Sequence, residues 1–466
     1  MHRVMRWPPA ISTIGRNSRA DKILMAFAYY LPLCACVTNA VHLILTMAFS
    51  AQDWQRKIYL DGLAGIHPAI PADHASLETA ARSRMSPNTT AYVAGGAGAE
   101  ATVASNRAAF DAVRIVPRVL RDVSSRSTAV HLFNQPLPAP LLLAPIGVLE
   151  LVHAQADLAV ARAARTLQIP MIFSNQASVP MEICAQEMGD ASRWFQLYWS
   201  KSRDLVASLL SRAEACGCAA IVVTLDTTLL GWRPRDLNYG YLPFLEGKGI
   251  AQYTSDPVFL RMLTQPDNDP PPPRTVSLAS VQALISMVNR FPGRGFLSKL
   301  RSGLPLKAVR KFITTYSNPA TTWDDLSFLR EHTKLRILLK GVLHPDDARK
   351  AINHGVDGII VSNHGGRQVD GAIASLDALP GVAEAVNNQI PLLIDSGIRS
   401  GSDIFKAIAL GAKAVCIGRP YVYGLAIAGQ QGVEDVIRHL VAEFELTMGL
   451  AGCKSVNEIN REMLHR

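Results

Sequence analysis

A chain of 466 residues, 48% hydrophobic and 18% charged, is long enough to bury a large core. Its 32 glycines and 28 prolines follow no fixed period, which excludes collagen-like and low-complexity chains, and its odd seven cysteines do not make a disulfide framework. The formal net charge is +9, but the basic residues are scattered rather than clustered with aromatics, so no nucleic-acid partner is expected; a positive field suits a small organic anion.

Residues 1–20 carry Arg3, Arg6, Arg16 and Arg19 and no acid, and 23–50 carry no charge at all. A stretch of that length can cross a membrane, although Pro32, Thr38, Asn39 and His42 interrupt it. It reads as an anchor or targeting segment, as a translated stretch outside the mature protein, or as a helix packed on the domain that follows. Membrane association is expected only through 23–50, and a cytoplasmic or an organellar location both remain open. Residues 51–137 are expected to form a helical, turn-rich collar.

From 138 onward short apolar runs alternate with helical stretches. The candidate strands are 141–144, 170–173, 195–198, 221–224, 336–340, 358–361, 391–395 and 414–417. Helical segments are expected at 157–166, 181–188, 201–215, 345–354, 381–386 and 402–410. Eight candidate strands, several of them continuous apolar runs, alternating with helices predict a parallel (β/α)8 TIM barrel over 138–455, followed by a tail at 456–466. The fourth and fifth strands are about 110 residues apart, where a TIM barrel needs only a short connection. The span 237–322 is therefore read as a lid-like insertion, with a run of prolines at 270–273 and helical periodicity at 281–289 and 306–313. Its basic residues Arg294, Lys299, Arg301, Lys307, Arg310 and Lys311 read as a solvated face. Amphipathic helix at 433–446 is expected to close the barrel. Cys216 and Cys218 read as small buried hydrophobes.

Barrel chemistry sits where strands end. Here those ends carry Gln196 and Tyr198, Thr224 and Asp226, Lys340, then Ser362, His364 and Arg367, then Asp395 and Arg399, then Gly418 and Arg419. In VSNHGGRQVD, 361–370, His364 suits proton abstraction near neutral pH. Three residues on, Arg367 offers a fork that can hold a carboxylate by two bonds. That pair suits a 2-hydroxy acid. Gly397, Gly401, Gly411 and Gly418 bracket a helix and a strand, which fits a barrel phosphate pocket served by Arg399 and Arg419. The pocket fits the phosphate of FMN or that of a phosphorylated substrate. No GxGxxG follows an early strand, which disfavours a Rossmann nicotinamide site, and no HExxH or carboxylate cluster calls for a metal.

The segments AYVAGGAG (91–98), LLAPIGV (142–148), FQLYW (195–199), TLDTTLLGWRPRD (224–236), LLKGV (338–342), SNHGGRQVDG (362–371), DSGIRSG (395–401) and IGRP (417–420) stand in the order found in a known family. From about residue 53 onward the chain resembles the FMN-dependent 2-hydroxy acid oxidases and dehydrogenases. The resemblance implies FMN as cofactor, a small L-2-hydroxy acid and O2 as substrates, and a tetramer or octamer. It implies His364 as base with Asp226 as its partner, and catalytic contributions from Tyr198 and Lys340. Tyr92, Tyr198, Arg233 and Arg367 would hold the substrate beside His364. Ile146, Gly147, Ser174, Gln196, Thr224, Lys340, Ser362, Asp395, Gly397, Arg399, Gly418 and Arg419 would hold FMN. YVAGGAG, APIGV and GKGIAQYTSDPVF (247–259) are most similar to the lactate 2-monooxygenase branch, which implies lactate and oxidative decarboxylation to acetate. Glycine at 147 is expected to leave extra room beside the flavin.

Overall fold

The computed structural model describes residues 50–265 and 276–465. The uncharged stretch up to 49 and the proline run at 270–273 lie outside the described residues. Among the described residues no helix is long and apolar enough to cross a membrane.

Eight parallel strands close into a barrel: β1 Leu141–Leu143, β2 Met171–Phe173, β3 Arg193–Leu197, β4 Ala220–Thr224, β5 Arg336–Val342, β6 Gly358–Val361, β7 Leu392–Ile394 and β8 Ala414–Ile417. Each pairs with the next, and β8 closes on β1 through Val415 with Leu141, Cys416 with Leu142 and Ile417 with Leu143. Most of the strands are apolar along their length because both faces are covered, by helices outside and by side chains inside.

Strand pleating decides what occupies the interior. Leu142, Ile172, Trp194, Val222, Leu338, Ile360, Leu393 and Cys416 form one inward cluster, one from each strand. Side chains alternate along a strand, so the residue two positions further on faces the same way. That step reaches Ala144, Ser174, Gln196, Thr224, Lys340, Ser362, Asp395 and Gly418. Stepping by two along the pleat turns an apolar floor into a mostly polar layer at the C-terminal ends. A hairpin of Val130–Leu132 and Gln135–Leu137 packs Leu132 and Leu137 against the inward cluster.

The collar consists of helices Ala51–Leu63, His74–Arg82, Pro87–Ala94 and Ala101–Ala112. The first two pack on the long C-terminal helix Arg419–Leu450, which bends at Ala428 and Gly429. The third carries Tyr92. The insertion after β4 holds the helices Pro234–Asn238, Ala251–Thr254, Pro257–Met262, Leu278–Arg290, Phe296–Ser302 and Leu304–Thr315. Two expected helices run further than predicted. The segment at 381–386 belongs to Ser375–Val386, because Pro380 lies inside the helix instead of starting it. The segment at 433–446 belongs to Arg419–Leu450, whose first turns are buried all round and so show no amphipathic pattern.

Candidate active site

The polar layer is the floor of a cavity with about 1230 Å3 of empty space, part of it open to solvent. From that layer Ala144, Gln196, Thr224, Lys340, Asp395 and Gly418 line it. Loops and collar add Tyr92, Ile146, Gly147, Tyr198, Arg233, His364, Arg367, Gly397, Arg399 and Arg419.

His364 sits in a sharp turn after β6. His364, Gly365 and Gly366 all have positive φ, at 58°, 65° and 75°. Glycine adopts such angles freely, whereas histidine pays for them. The histidine backbone is held by its N–H donating to Ser362 Oγ at 3.0 Å, and the turn by Gly366 N–H donating to Asn363 Oδ1 at 3.1 Å. The Asn363 and Asn106 side-chain amides bond each other at 2.8 and 2.7 Å, which ties the turn to the collar helix Ala101–Ala112.

On the ring side, His364 Nδ1 lies 2.7 Å from Asp226 Oδ1 and 3.2 Å from Thr227 Oγ1. Asp226 Oδ2 stands 3.7 Å from Lys340 Nζ, and Lys340 also meets Asp395 at 3.1 Å and donates to Ser362 Oγ at 2.8 Å. Asp226 reaches this position because Gly341, at φ 104°, has no side chain: a Cβ there would fall 2.8 Å from Asp226 Cβ. Burial works to raise the Asp226 carboxyl, but His364 and Lys340 hold it well below the usual carboxylate range. Burial likewise works to lower Lys340, but Asp395 and Asp226 hold it above the ordinary lysine value. For His364 burial wins over Asp226 and holds the imidazole below its ordinary value, which favours the neutral ring. An Nδ1–H donated to Asp226 leaves Nε2 with a free lone pair.

Beside the histidine is a cluster of cations. Arg367 donates to the carbonyls of Tyr92 and, at 3.1 Å, Gly95, with its guanidinium 5.0 Å from the centre of the Tyr92 ring. Arg233 is buried and donates to Arg367 O at 3.1 Å and to Gln368 Oε1 at 3.0 Å. Burial, then the neighbouring Arg233, pull Arg367 down to about 9. Neither arginine forms an ion pair among the described residues, so an anion between them would relieve the repulsion. The collar is laced onto this loop: Ala97 N–H donates to Gly366 O at 2.8 Å, and Asp370 accepts from Ala99 and Thr102 N–H at 2.7 and 3.1 Å.

A second pair of cations lies across the cavity after β7 and β8. Arg419 donates to the carbonyls of Val93, Gly365 and Gly95 at 2.9–3.0 Å, and Arg399 to Ile398 O at 2.9 Å. Burial, then Arg419, lower Arg399 to about 10. Neither has a carboxylate partner among the described residues. The helix Arg419–Leu450 starts at Gly418 with no side-chain cap, so its N-terminus is open to an anion. Helix Gly401–Ala409 is capped by its own Ser400 and Asp403 and offers nothing comparable.

The cavity wall fits a flat polar ring system. Gln196 Oε1 accepts from Asn175 N–H at 2.9 Å, and Gln196 Nε2 and Thr224 Oγ1 are buried with no partner. Buried donors are rarely left unmatched without a ligand in view. Two orphaned polar atoms, the Lys340 cation and the Arg399–Arg419 pair fit the ring edge and phosphate of FMN.

Most of the predicted residues converge here, with three standing behind the wall. Asp226 and Ser362 support His364 and Lys340 without lining the cavity. Ser174 also stays out of it, buried, with its hydroxyl accepting from Gln176 N–H at 3.1 Å. The extra room expected at Gly147 is not there. A Cβ at 147 would lie 3.1 Å from Gln176 Cβ and 3.2 Å from Gln176 O, so the glycine is filled in by its neighbour. Sequence reasoning missed Asn175, which orients Gln196 and accepts from Tyr198 N–H at 3.1 Å. It also missed Tyr316, which lines the cavity from the end of the insertion and sits edge-on to Tyr198 at 6.4 Å. Ser317 next to it donates to Thr227 O and Thr228 O at 3.1 and 2.8 Å.

A closed barrel with a histidine–aspartate pair, cations lacking a carboxylate partner among the described residues and orphaned polar atoms in its wall suits a flavin oxidoreductase, and similarity to known proteins agrees. Residues 81–466 match the family model described as FMN-dependent dehydrogenase, and the chain belongs to that family. It is 42% identical to an L-lactate oxidase of Lysinibacillus sphaericus (strain C3-41), over 83% of this chain and 91% of that protein. It is 40% identical to an FMN-dependent alpha-hydroxy acid dehydrogenase of Penicillium citrinum, over 89% and 95% respectively. Among solved structures it is similar to mandelate oxidase with (S)-4-hydroxymandelic acid, with TM-score 0.70 and 34% identity over 85% of this chain and 98% of that one. The protein is thus an enzyme that uses FMN.

Proposed function

We propose that the chain oxidises a small L-2-hydroxy acid to its 2-keto acid and reduces O2 to H2O2. The carrying observation is His364, held through Nδ1 at 2.7 Å from Asp226 Oδ1 and flanked by Arg367 and Arg233, which have no carboxylate partner among the described residues. The balance is RCH(OH)COO− + O2 → RCOCOO− + H2O2. When bound, FMN supplies the two-electron acceptor for the substrate and the donor for O2.

The protein's own groups do the rest. Arg367 and Arg233, with the buried Tyr92 and Tyr198 phenols, hold the substrate carboxylate. That fixes the carbon bearing the hydroxyl near His364 Nε2. The free lone pair there takes a proton from the substrate, and Asp226 stabilises the imidazolium that forms. Lys340 holds positive charge at the floor of the cavity and would offset the negative charge of the cofactor when it is reduced. Gln196 Nε2 and Thr224 Oγ1 would hold the polar edge of the cofactor ring, and Arg399 and Arg419 its phosphate.

Tyr316, Tyr198 and Phe244 line the cavity with aromatic rings. The relatives act on lactate and on mandelate-type acids by their names, so L-lactate and (S)-mandelate bracket the substrate size. Oxidative decarboxylation, the branch outcome implied by sequence, requires the keto acid to stay bound while oxygen reacts. The crowding of Gly147 by Gln176 gives no extra space for that. The test is product analysis in air with the FMN-loaded chain. Keto acid and peroxide in equal amounts support the oxidase. Acetate and carbon dioxide without peroxide support the monooxygenase. Turnover with a quinone-type dye but not with O2 supports a dehydrogenase.

A further inference from the structure

The insertion carries a face that the catalytic site does not use. Between residues 276 and 323 there is no Asp or Glu, against seven Lys and Arg. On helix Leu278–Arg290, Leu278, Val281 and Ile285 follow one another at helical spacing and all are exposed, Leu278 at 81%. On helix Phe296–Ser302, Phe296, Leu297 and Leu300 are exposed, Leu297 at 61%. Between these helices and Leu304–Thr315 opens a cleft of about 950 Å3 of empty space, lined by Leu284, Val288, Leu300 and Leu306 and edged by Lys307. Arg294 and Arg301 are exposed beside it and form no ion pair among the described residues.

Helix Leu278–Arg290 is tied to the barrel, and Phe296–Ser302 packs against that helix and against Leu304–Thr315. Arg290 pairs with Glu150, next to the cavity residue Leu149, and Ser286 Oγ donates to Glu246 O at 2.7 Å. The apolar face is therefore presented by an anchored platform.

We propose that this face docks on an anionic lipid bilayer. Exposed apolar side chains at helical spacing with Lys and Arg around them suit the boundary between headgroups and acyl chains. A segment with no acidic residue has its complement in negatively charged lipid headgroups. A second copy of the same face is a poorer partner, because a twofold contact would bring two basic, acid-free segments together. Membrane association then extends beyond the N-terminal stretch at 23–50 to which the sequence alone confined it.

The test is co-sedimentation of the full-length, FMN-loaded chain with two kinds of vesicle, phosphatidylcholine alone and phosphatidylcholine mixed with phosphatidylglycerol. The wild-type chain is expected to bind the anionic vesicles, with affinity falling as salt rises. Arg294→Glu/Arg301→Glu is expected to weaken that binding roughly 30-fold or more, at about fivefold for each arginine lost and more for the acids added. Leu278→Glu/Leu297→Glu should weaken it comparably, and both variants should turn over a soluble 2-hydroxy acid at the wild-type rate. Three results overturn the proposal. One is no binding of the wild-type chain to anionic vesicles. Another is equal binding by wild type and both variants, which places the contact elsewhere, as at 23–50. The last is an assembly in vesicle-free solution that Leu278→Glu/Leu297→Glu dissociates, which means a second copy covers the face.

Discussion

Asp226 stands between the base and a buried cation, with Oδ1 2.7 Å from His364 Nδ1 and Oδ2 3.7 Å from Lys340 Nζ. One carboxylate therefore serves both ends of the proposed reaction. It orients the ring that takes the proton and offsets part of the charge on the lysine at the cavity floor. Asp226→Asn keeps the shape and removes the charge. Turnover is expected to fall by about 10^2–10^4-fold, the range lost when an oriented base loses its carboxylate. Steady-state kinetics on the FMN-loaded variant checks this, and a loss below tenfold would mean that Asp226 is dispensable.

The same pair fixes a pH dependence. Burial holds the His364 pKa below 6.5, and Asp226 works against that by favouring the imidazolium. The base must be neutral, so kcat/KM should rise with pH through a pKa below that of a free imidazole. In Asp226→Asn the opposing influence is gone and the rising limb should move to lower pH. A limb that moves to higher pH would contradict the assignment.

Arg399 gives the cleaner test of the phosphate pocket, because Arg419 also holds three backbone carbonyls that shape the cavity. Arg399→Met removes a charge-assisted contact of roughly 1.5–3 kcal/mol, so FMN should bind about 10–100-fold more weakly. Riboflavin, which lacks the phosphate, should lose little. Fluorescence titration of the apoprotein with both ligands separates a phosphate contact from general damage, since equal losses would mean damage.

Gly147→Ala should destabilise the fold, not merely fill a void. The new methyl would press on Gln176 at 3.1–3.2 Å, and overpacking of this kind costs roughly 1–3 kcal/mol. Thermal unfolding of the apoprotein should show a lower midpoint. An unchanged midpoint would show that the Gln176 loop yields freely.

Tyr316→Ala should widen the aromatic wall. The ratio of kcat/KM for (S)-mandelate over L-lactate is expected to rise, by about 10-fold or more if one ring's worth of apolar contact sets the limit. A ratio that stays put would place the size limit elsewhere, for example at Phe244.

The eight strands were legible because strands buried on both faces leave an unbroken apolar signature, and their polar ends broke it where the site begins. His364, Arg367 and Asp226 could be named because they lie within a few residues of those ends. Tyr316 could not, since it is about 90 residues beyond the end of β4 and reaches the cavity only after the insertion folds back through Ser317. Asn175 was hidden for another reason: its role is to orient Gln196, and a hydrogen bond between neighbouring strand ends leaves no mark in either strand. Gly147 misled because a missing methyl says nothing of what fills its place.

The most direct test mixes the FMN-loaded chain with an L-2-hydroxy acid in the absence of oxygen and follows the visible absorbance of the flavin. The wild-type chain should bleach with the L-acid and not with its mirror image. His364→Gln should retain FMN and stay yellow on the same timescale. A wild-type chain that holds FMN but is bleached by none of the acids tried, or a His364→Gln variant that bleaches as fast as wild type, would contradict the account.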